Sequence, residues 1–421
     1  MDLFAQTQKY HQDGDFEQAL AGYQALLAED QDNPQLSYLL ALLFFEKKRL
    51  DEAAHWFTRV VTLAPEAAPA HYNLGIIFFE QGNYPQAALA YEEAAKLCPE
   101  DADIFFNLAL TRKKLGQFDK AFSCYEKVLE ITPDAEDALY NIGVLCKDLH
   151  HHADGIWFFE QVIRINPDHA QALNNLGYLY HMERDVDKAI TTYQKLIALD
   201  YNTIMASHML AALTGQTTAT APEGYIRRVF DSFSEHFDES LVDKLGYTVP
   251  AQLRALLTGK ASHRFPSILD MGCGTGLSGE AFQDLAEKLI GLDLSPKMLE
   301  VAGKKGLYDS LHETDICSFL RENQDLFDLV LAADVFIYVG DLREIFTLVK
   351  KRTAIGGIFL FSTELADQGF CLKPMGRYGH AESYIRDLAK ESGFTVLQVT
   401  VANIRKEKEE WVTGYLYMLR A

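Results

Sequence analysis

The sequence predicts two fold classes in one chain: an all-helical repeat array over its first half and a doubly wound α/β domain with a mostly parallel sheet over its second. Three observations carry this. Prolines recur at Pro65, Pro99, Pro133 and Pro167, each 34 residues after the last. Later, Ile268–Gly276 reads as a buried strand ending in an acid and then a turn with glycine at every second residue, 272, 274 and 276. From residue 225 onward, short apolar runs alternate with amphipathic stretches, the pattern of repeated βα units.

In the first half the period extends well beyond proline. Leu40, Leu74, Leu108, Ile142 and Leu176 share a column, and Ala41, Gly75, Ala109, Gly143 and Gly177 share the next. Small residues return at Ala53, Ala87, Ala121, Gly155 and Ala189, and aromatics at Phe57, Tyr91, Tyr125, Phe159 and Tyr193. Small residues let paired helices approach, aromatics fill the space between units, and the proline stops the second helix of each unit. These columns resemble the tetratricopeptide repeat, two antiparallel helices per unit. Six units are expected, the first and last irregular as caps often are, with a closing helix over 202–213. Repeats then occupy residues 1–213, a linker 214–224, and the α/β domain 225–421.

Two further columns lie on the first helix of each unit, which lines the concave face of such superhelices: Tyr38, Tyr72, Phe106 and Tyr140, then Asn73, Asn107, Asn141 and Asn175. An amide has donors and an acceptor and can grip a peptide backbone without reading its sequence. The ladder resembles that of O-linked N-acetylglucosamine transferase, which implies a groove for an extended peptide; packing between helices is the other reading. His150–His152 falls at the turn inside the fifth unit, and a solvated turn is expected there rather than a metal site.

In the second half, strands are expected at 267–271, 288–293, 307–312, 327–333, 355–363, 394–402 and 411–419, the last two forming an antiparallel hairpin. Glycines at the turn let a ligand lie against bare backbone, and the following helix N-terminus offers free N–H groups. Asp293 ends the second strand 19 residues after Gly274, where an acid takes ribose hydroxyls. The dinucleotide register G-x-G-x-x-G fails, because Leu277 holds its third glycine position. Asp270 would repel a pyrophosphate and attract an ammonium.

The run Asp270–Gly276, with Asp293-Leu294-Ser295-Pro296-Lys297-Met298 after it, resembles the class I S-adenosylmethionine-dependent methyltransferases. The resemblance implies a Rossmann-like seven-stranded domain. It places Gly272, Gly274 and Gly276 against the methionine part, Asp270 on its ammonium, Asp293 and Leu294 at the ribose, and Met298, Asp315 and Ile316 at the adenine. Asp334, after the fourth strand, would lie near the reactive methyl. The base-modifying branches carry Asn- or Asp-Pro-Pro-aromatic there; this chain has Asp334-Val335-Phe336-Ile337, which disfavours nucleic-acid bases. Tyr225–Asp238 resembles the family's lid helix. His380 is a candidate base, or else a helix-start residue.

Composition narrows the function classes. Net charge is −21, and residues 1–215 hold 16 Lys and Arg against 31 Asp and Glu. A phosphate backbone would be repelled. No apolar run is long enough to span a bilayer, and Met1–Gln6 lacks a signal-peptide pattern. The six cysteines form no C-x-x-C pair, so a reducing, cytoplasmic setting is expected, with neither disulfides nor a metal. Three readings remain open: a methyltransferase whose repeats recruit a protein or carrier-bound acceptor, a small-molecule O- or N-methyltransferase whose repeats only dock it, and a cofactor-binding scaffold without activity.

Overall fold

The computed structural model describes residues 2–233, 238–257, 264–407 and 410–421. It divides into two compact units, Met1–Asp185 and Val186–Ala421.

The first unit is a succession of helix pairs: Leu3–Gln12 with Phe16–Glu29, Pro34–Glu46 with Leu50–Leu63, Ala68–Glu80 with Tyr84–Leu97, Ala102–Lys114 with Phe118–Ile131, and Glu136–Asp148 with His152–Ile165, followed by Ala170–Met182. Tyr23, Phe57, Tyr91, Tyr125 and Phe159 are essentially inaccessible. The small column exists to admit these rings. A Cβ on Gly75 would come within 2.5 Å of the Tyr91 ring, and one on Gly143 within 2.8 Å of Phe159. Each recurring proline stands two residues beyond its helix, as Pro65 follows Leu63, where its missing N–H costs nothing. A second 34-residue column emerges at the turn within each pair. Gly14, Lys48, Gly82, Gly116 and His150 all have φ between 58° and 76°. Lys48 and His150 hold that left-handed conformation against the steric cost of their Cβ.

The second unit begins inside the sixth repeat, with helices Val186–Ala198 and Thr203–Leu213. Its sheet contains β1 (Ile268–Met271), β2 (Leu289–Asp293), β3 (Ser310–Glu313), β4 (Phe327–Ala332), β5 (Thr353–Leu365), β6 (Phe370–Leu372), β7 (Tyr378–His380), β8 (Thr395–Glu407) and β9 (Glu410–Arg420). The order β3-β2-β1-β4-β5 is parallel, and β9 joins β5 antiparallel with β8 beyond it. All four residues of β1 are buried, as expected for a central strand covered on both faces.

Two expectations are corrected. The short hairpin β6–β7 was not anticipated, because three-residue strands carry too little pattern to read. Residues 214–224 are not a free linker. Ala219 carbonyl accepts from the N–H groups of Gly340 and Asp341 at 2.9 and 2.8 Å, and Ala221 N–H donates to Tyr338 carbonyl at 2.9 Å. This segment is a strap bound to the α/β domain. The closing helix Thr203–Leu213 packs there too, its Ala211 and Ala212 sharing a core with Leu372 and Tyr378.

Candidate functional site

The glycine turn leaves β1 with Gly272, Gly274 and Gly276 all at positive φ: 69°, 52° and 95°. A side chain on Gly272 would strike Val335, whereas a Cβ on Gly274 meets nothing within 4 Å. The turn is thus packed on one side and open at Gly274, which leaves backbone available to a ligand.

Two acids frame the turn. Asp270 is fully buried. One carboxylate oxygen accepts from Tyr308 hydroxyl at 2.7 Å, while Oδ1 has no hydrogen-bond partner among the described residues. Burial pushes its pKa up to about 7. A buried acid with an orphaned oxygen suits an incoming cation, which would repay the desolvation. Asp293 accepts from Gly274 N–H at 2.9 Å and Ser295 N–H at 2.8 Å, one bond per oxygen. A carboxylate oxygen has two acceptor sites, so each retains capacity for a hydroxyl. Burial raises the Asp293 pKa, with the backbone bonds opposing. An ammonium at Asp270 and a diol at Asp293 are what the amino-acid and ribose parts of S-adenosylmethionine present, and the residues fit that cofactor.

Leu294 is half-buried, and Asp315 caps the helix Ile316–Glu322 through Ser318 N–H at 2.9 Å. Burial alone would raise the Asp315 pKa, but its bonds to Ser318 hold it lower. Ile316 is half-buried beside it. Met298 departs from expectation. It is completely buried, and its N–H is held by Ser295 Oγ at 3.1 Å. Its side chain packs inside the domain instead of facing an open adenine site.

The helix expected as a lid runs from Glu223 to Phe233; residues 234–237, also assigned to it from sequence, lie outside the described residues. Two acids of the expected lid segment bond to the groups around the turn. Ser295 hydroxyl donates to Asp231 at 2.5 Å, and Asp238 accepts from Thr275 hydroxyl and from Lys305 Nζ, the latter at 2.6 Å.

Beyond the carboxyl ends of β4 and β5 sits a charge cluster that sequence reasoning missed. Asp334, at φ 60°, accepts from Arg405 Nη1 at 3.0 and 2.7 Å. Arg405 Nη2 donates to Glu364. Glu364 also pairs with Lys373 Nζ at 2.9 Å and Arg377 Nε at 3.2 Å, and Arg377 reaches Glu407. Arg405 and Glu364 are 3% and 2% exposed, so these charges survive burial only by pairing. Burial works against the Glu364 carboxylate, but Arg405, Arg377 and Lys373 keep its pKa below the usual range. Burial raises Asp334, opposed by Arg405. Arg405 arrives from β8, more than 70 residues after Asp334 in sequence, and no local spacing announces it.

His380 does not suit a base. It is completely buried in β7, its Nε2 facing Gly340 carbonyl at 3.0 Å and its ring stacked on Tyr384. Burial lowers its pKa to about 4, leaving it neutral and enclosed. Asp334 is likewise bound in a two-point ion pair, which leaves it poorly placed to take a proton.

In the repeat unit the asparagine column is turned inward on its own array. Asn73 Nδ2 donates to Tyr38 hydroxyl of the preceding repeat at 3.2 Å and to Pro69 carbonyl at 2.8 Å. Asn107 bonds Tyr72 hydroxyl and Asp103 carbonyl, both at 3.0 Å. Asn175 does the same with Tyr140 at 3.4 Å and Gln171 carbonyl at 3.1 Å, and its oxygen accepts from Lys147. Asn141 donates to Asp137 carbonyl at 2.8 Å; the preceding repeat offers it Phe106 in place of tyrosine. In Asn73, Asn107 and Asn175 one amide donor ties each repeat to the one before and the other is spent on the helix's own carbonyl. Those donors do not serve a peptide, which leaves the second N–H of Asn141 and the amide oxygens of Asn73, Asn107 and Asn141 as the polar groups of this column for one.

Comparison with known proteins agrees with both halves. A methyltransferase domain model matches residues 269–361, and tetratricopeptide or TPR repeat models match 10–68, 75–116, 102–134 and 158–191. The chain is 27% identical over 139 residues to the malonyl-acyl-carrier protein O-methyltransferase of Salmonella typhimurium, a match spanning 32% of this chain and 55% of the relative. It is 29% identical over 120 residues to the ubiquinone biosynthesis O-methyltransferase of Pasteurella multocida, spanning 25% and 47%. The chain thus spans about half the length of the curated relatives it matches. A solved structure of the N-methyltransferase NodS from Bradyrhizobium japonicum, in complex with S-adenosyl-l-homocysteine, aligns with TM-score 0.34 and 22% identity over 41% of this chain and 84% of that one. The chain thus carries tetratricopeptide repeats in its first half and, in its second, a region that matches a methyltransferase domain.

Proposed function

We propose that the protein methylates a protein or carrier-bound acceptor that its repeat array recruits. The observation that carries the methyltransferase reading is the buried, half-orphaned Asp270 beside the open Gly274 and the doubly hydrogen-bonded Asp293. When bound, S-adenosylmethionine supplies an electrophilic methyl group. Asp270 would hold the ammonium, Asp293 the ribose hydroxyls, and Gly272, Gly274 and Gly276 the backbone contacts. Leu294, Asp315 and Ile316 would take the rest of the nucleoside. The lid acids Asp231 and Asp238 tether the helix that excludes water from the site. Asp334, fixed by Arg405, orients the acceptor rather than taking its proton. The chain's contribution is chiefly alignment for in-line transfer.

The recruiting role rests on the array's architecture and on the acyl-carrier-bound substrate in one relative's name. The amide oxygens of Asn73, Asn107 and Asn141, with Tyr72, Phe106 and Tyr140 beside them, remain the chemistry available to peptide N–H groups. The competing reading is a small-molecule O- or N-methyltransferase docked through its repeats. Incubation with methyl-labelled cofactor and a fractionated lysate separates the two. Label in protein or carrier supports recruitment, label only in small molecules supports docking, and cofactor binding with no transfer at all leaves a scaffold.

A further inference from the structure

Besides Arg405, the cations that reach Glu364 both come from one small element at the sheet edge. Lys373 and Arg377 flank the turn of the β6–β7 hairpin, closed by Lys373 N–H to Arg377 carbonyl at 2.7 Å and Gly376 N–H to Lys373 carbonyl at 2.9 Å. A two-stranded hairpin of three-residue strands has little stability of its own. Here β7 pairs with the end of β5, Gly379 beside Glu364 and His380 beside Leu365, and the turn is gripped in addition by the closing helix. His208, on the closing helix and 3% exposed, places Nε2 at 2.9 Å from Gly376 carbonyl. That ring lies against Tyr225 and Tyr378, with centroids 4.8 and 6.3 Å away. Gly376 has φ 75°, and a Cβ there would strike Met209 Sδ at 2.9 Å. The strap adds two bonds: Leu372 N–H donates to Thr217 Oγ1 at 3.3 Å, and Thr218 hydroxyl meets Tyr378 hydroxyl at 2.5 Å.

We propose that the closing helix and strap are a working part of the catalytic unit, with His208 a positioning residue that braces the β6–β7 turn so that Lys373 and Arg377 stay on Glu364 and the acceptor side keeps its shape. The proposal rests on the methyltransferase reading for its catalytic consequence but not for the brace itself. None of the braced residues belongs to the glycine turn or to Asp270 and Asp293. The brace therefore controls acceptor handling and leaves cofactor binding alone.

The test uses the full chain with His208→Ala, His208→Gln and the double variant Thr217→Val/Thr218→Val, which spares the helix. Hydrogen–deuterium exchange is read over residues 370–380 and 268–293. In His208→Ala and in the threonine double variant, exchange over 370–380 is expected to rise at least tenfold, with 268–293 unchanged. S-adenosylmethionine affinity by calorimetry should stay within twofold. Glutamine, which offers an N–H donor of similar reach, should restore protection. Transfer of labelled methyl to the lysate fraction that the wild type labels should fall at least tenfold in His208→Ala and recover in His208→Gln. Unchanged exchange over 370–380 in both the alanine and the threonine variants overturns the brace. So does a parallel loss of cofactor affinity, which would make His208 a general fold residue. Loosened exchange with wild-type transfer overturns its catalytic role. If the wild type itself transfers nothing, the methyltransferase reading fails while the exchange data still decide the brace.

Discussion

The repeat unit and the α/β unit handle polar groups in opposite ways. In the repeats, half-buried amides bond to a hydroxyl one repeat away and to a carbonyl one helical turn away, and the arrangement recurs: Asn73 with Tyr38, Asn107 with Tyr72, Asn175 with Tyr140. Each staple is local, neutral and cheap to lose. In the α/β unit, full charges are buried and paired across elements, Arg405 of a distant strand with Asp334 and Glu364, and Glu364 also with Lys373 and Arg377 of a nearby turn. A repeat array is a sum of neighbour contacts, whereas the buried cluster stands or falls together. Stability spread along the array leaves it tolerant of change. Desolvated charge at the ligand end of the sheet is the kind of cost that sites carry.

The largest effect expected from this contrast is at Arg405. Arg405→Met would leave two buried carboxylates without their shared partner, and breaking such a pair costs about 3–5 kcal/mol. Denaturant unfolding followed by a probe in the second unit should show that loss. A loss under 1 kcal/mol would mean water reaches the cluster freely.

Next comes the cofactor site. Asp293→Ala should weaken S-adenosylmethionine binding by more than tenfold, since charge-assisted hydrogen bonds contribute roughly 1.5–3 kcal/mol. Calorimetry on the folded variant measures this directly, and unchanged affinity would remove Asp293 from the site. Asp270 adds a pH signature. Its carboxyl is raised to about 7 in the free protein. The stability held by its neutral form is therefore fully present below the ordinary pKa and lost as pH rises through 7. A bound ammonium favours the ionised form, so affinity should improve by about tenfold per pH unit on approaching pH 7 from below, then level off. Asp270→Asn should bind weakly and without that slope; a wild-type affinity flat between pH 5 and 7 would contradict the assignment.

A smaller effect is expected in the repeats. Asn107→Ala should destabilise the array by about 1 kcal/mol, the usual net contribution of one hydrogen bond, and leave cofactor affinity unchanged. A stable Asn107→Ala protein that labels its acceptor far more slowly would restore the peptide-groove role to this column. The smallest change should be favourable. Lys48→Gly and His150→Gly relieve positive-φ strain and should each raise thermal stability by about 0.5–1 kcal/mol. If both destabilise, those side chains make contacts worth more than the strain.

The legible parts of the molecule were those whose cause is local or periodic. The 34-residue columns announced every helix pair, because the same side chain meets the same neighbour in each repeat. The glycine turn and its two acids were readable for a related reason: positive φ, strand burial and the spacing from Gly274 to Asp293 are all set within one βαβ unit. The strands 353–365, 395–407 and 410–420 were placed to within a few residues, but the hairpin 370–380 was too short to leave a pattern. Tyr308 on Asp270, Asp231 on Ser295 and Asp238 on Thr275 could not be foreseen, since no rule ties those positions in sequence.

By itself, then, the sequence determined the two fold classes, the repeat register, the glycine turn and the two acids that frame it, because backbone sterics and apolar periodicity act over a few residues and repeat faithfully. Only the tertiary structure decided what the polar side chains do with those frames. It gave the asparagine donors to neighbouring tyrosines, enclosed His380 and Met298, and bound Asp334 to an arginine from the far hairpin. It also made the expected linker a strap and the closing helix a support for the β6–β7 turn. The physical reason is the same in each case. A buried polar group must be satisfied by whatever folding brings within about 3 Å, and that partner is chosen by the packing of distant elements, not by the residues beside it in the chain.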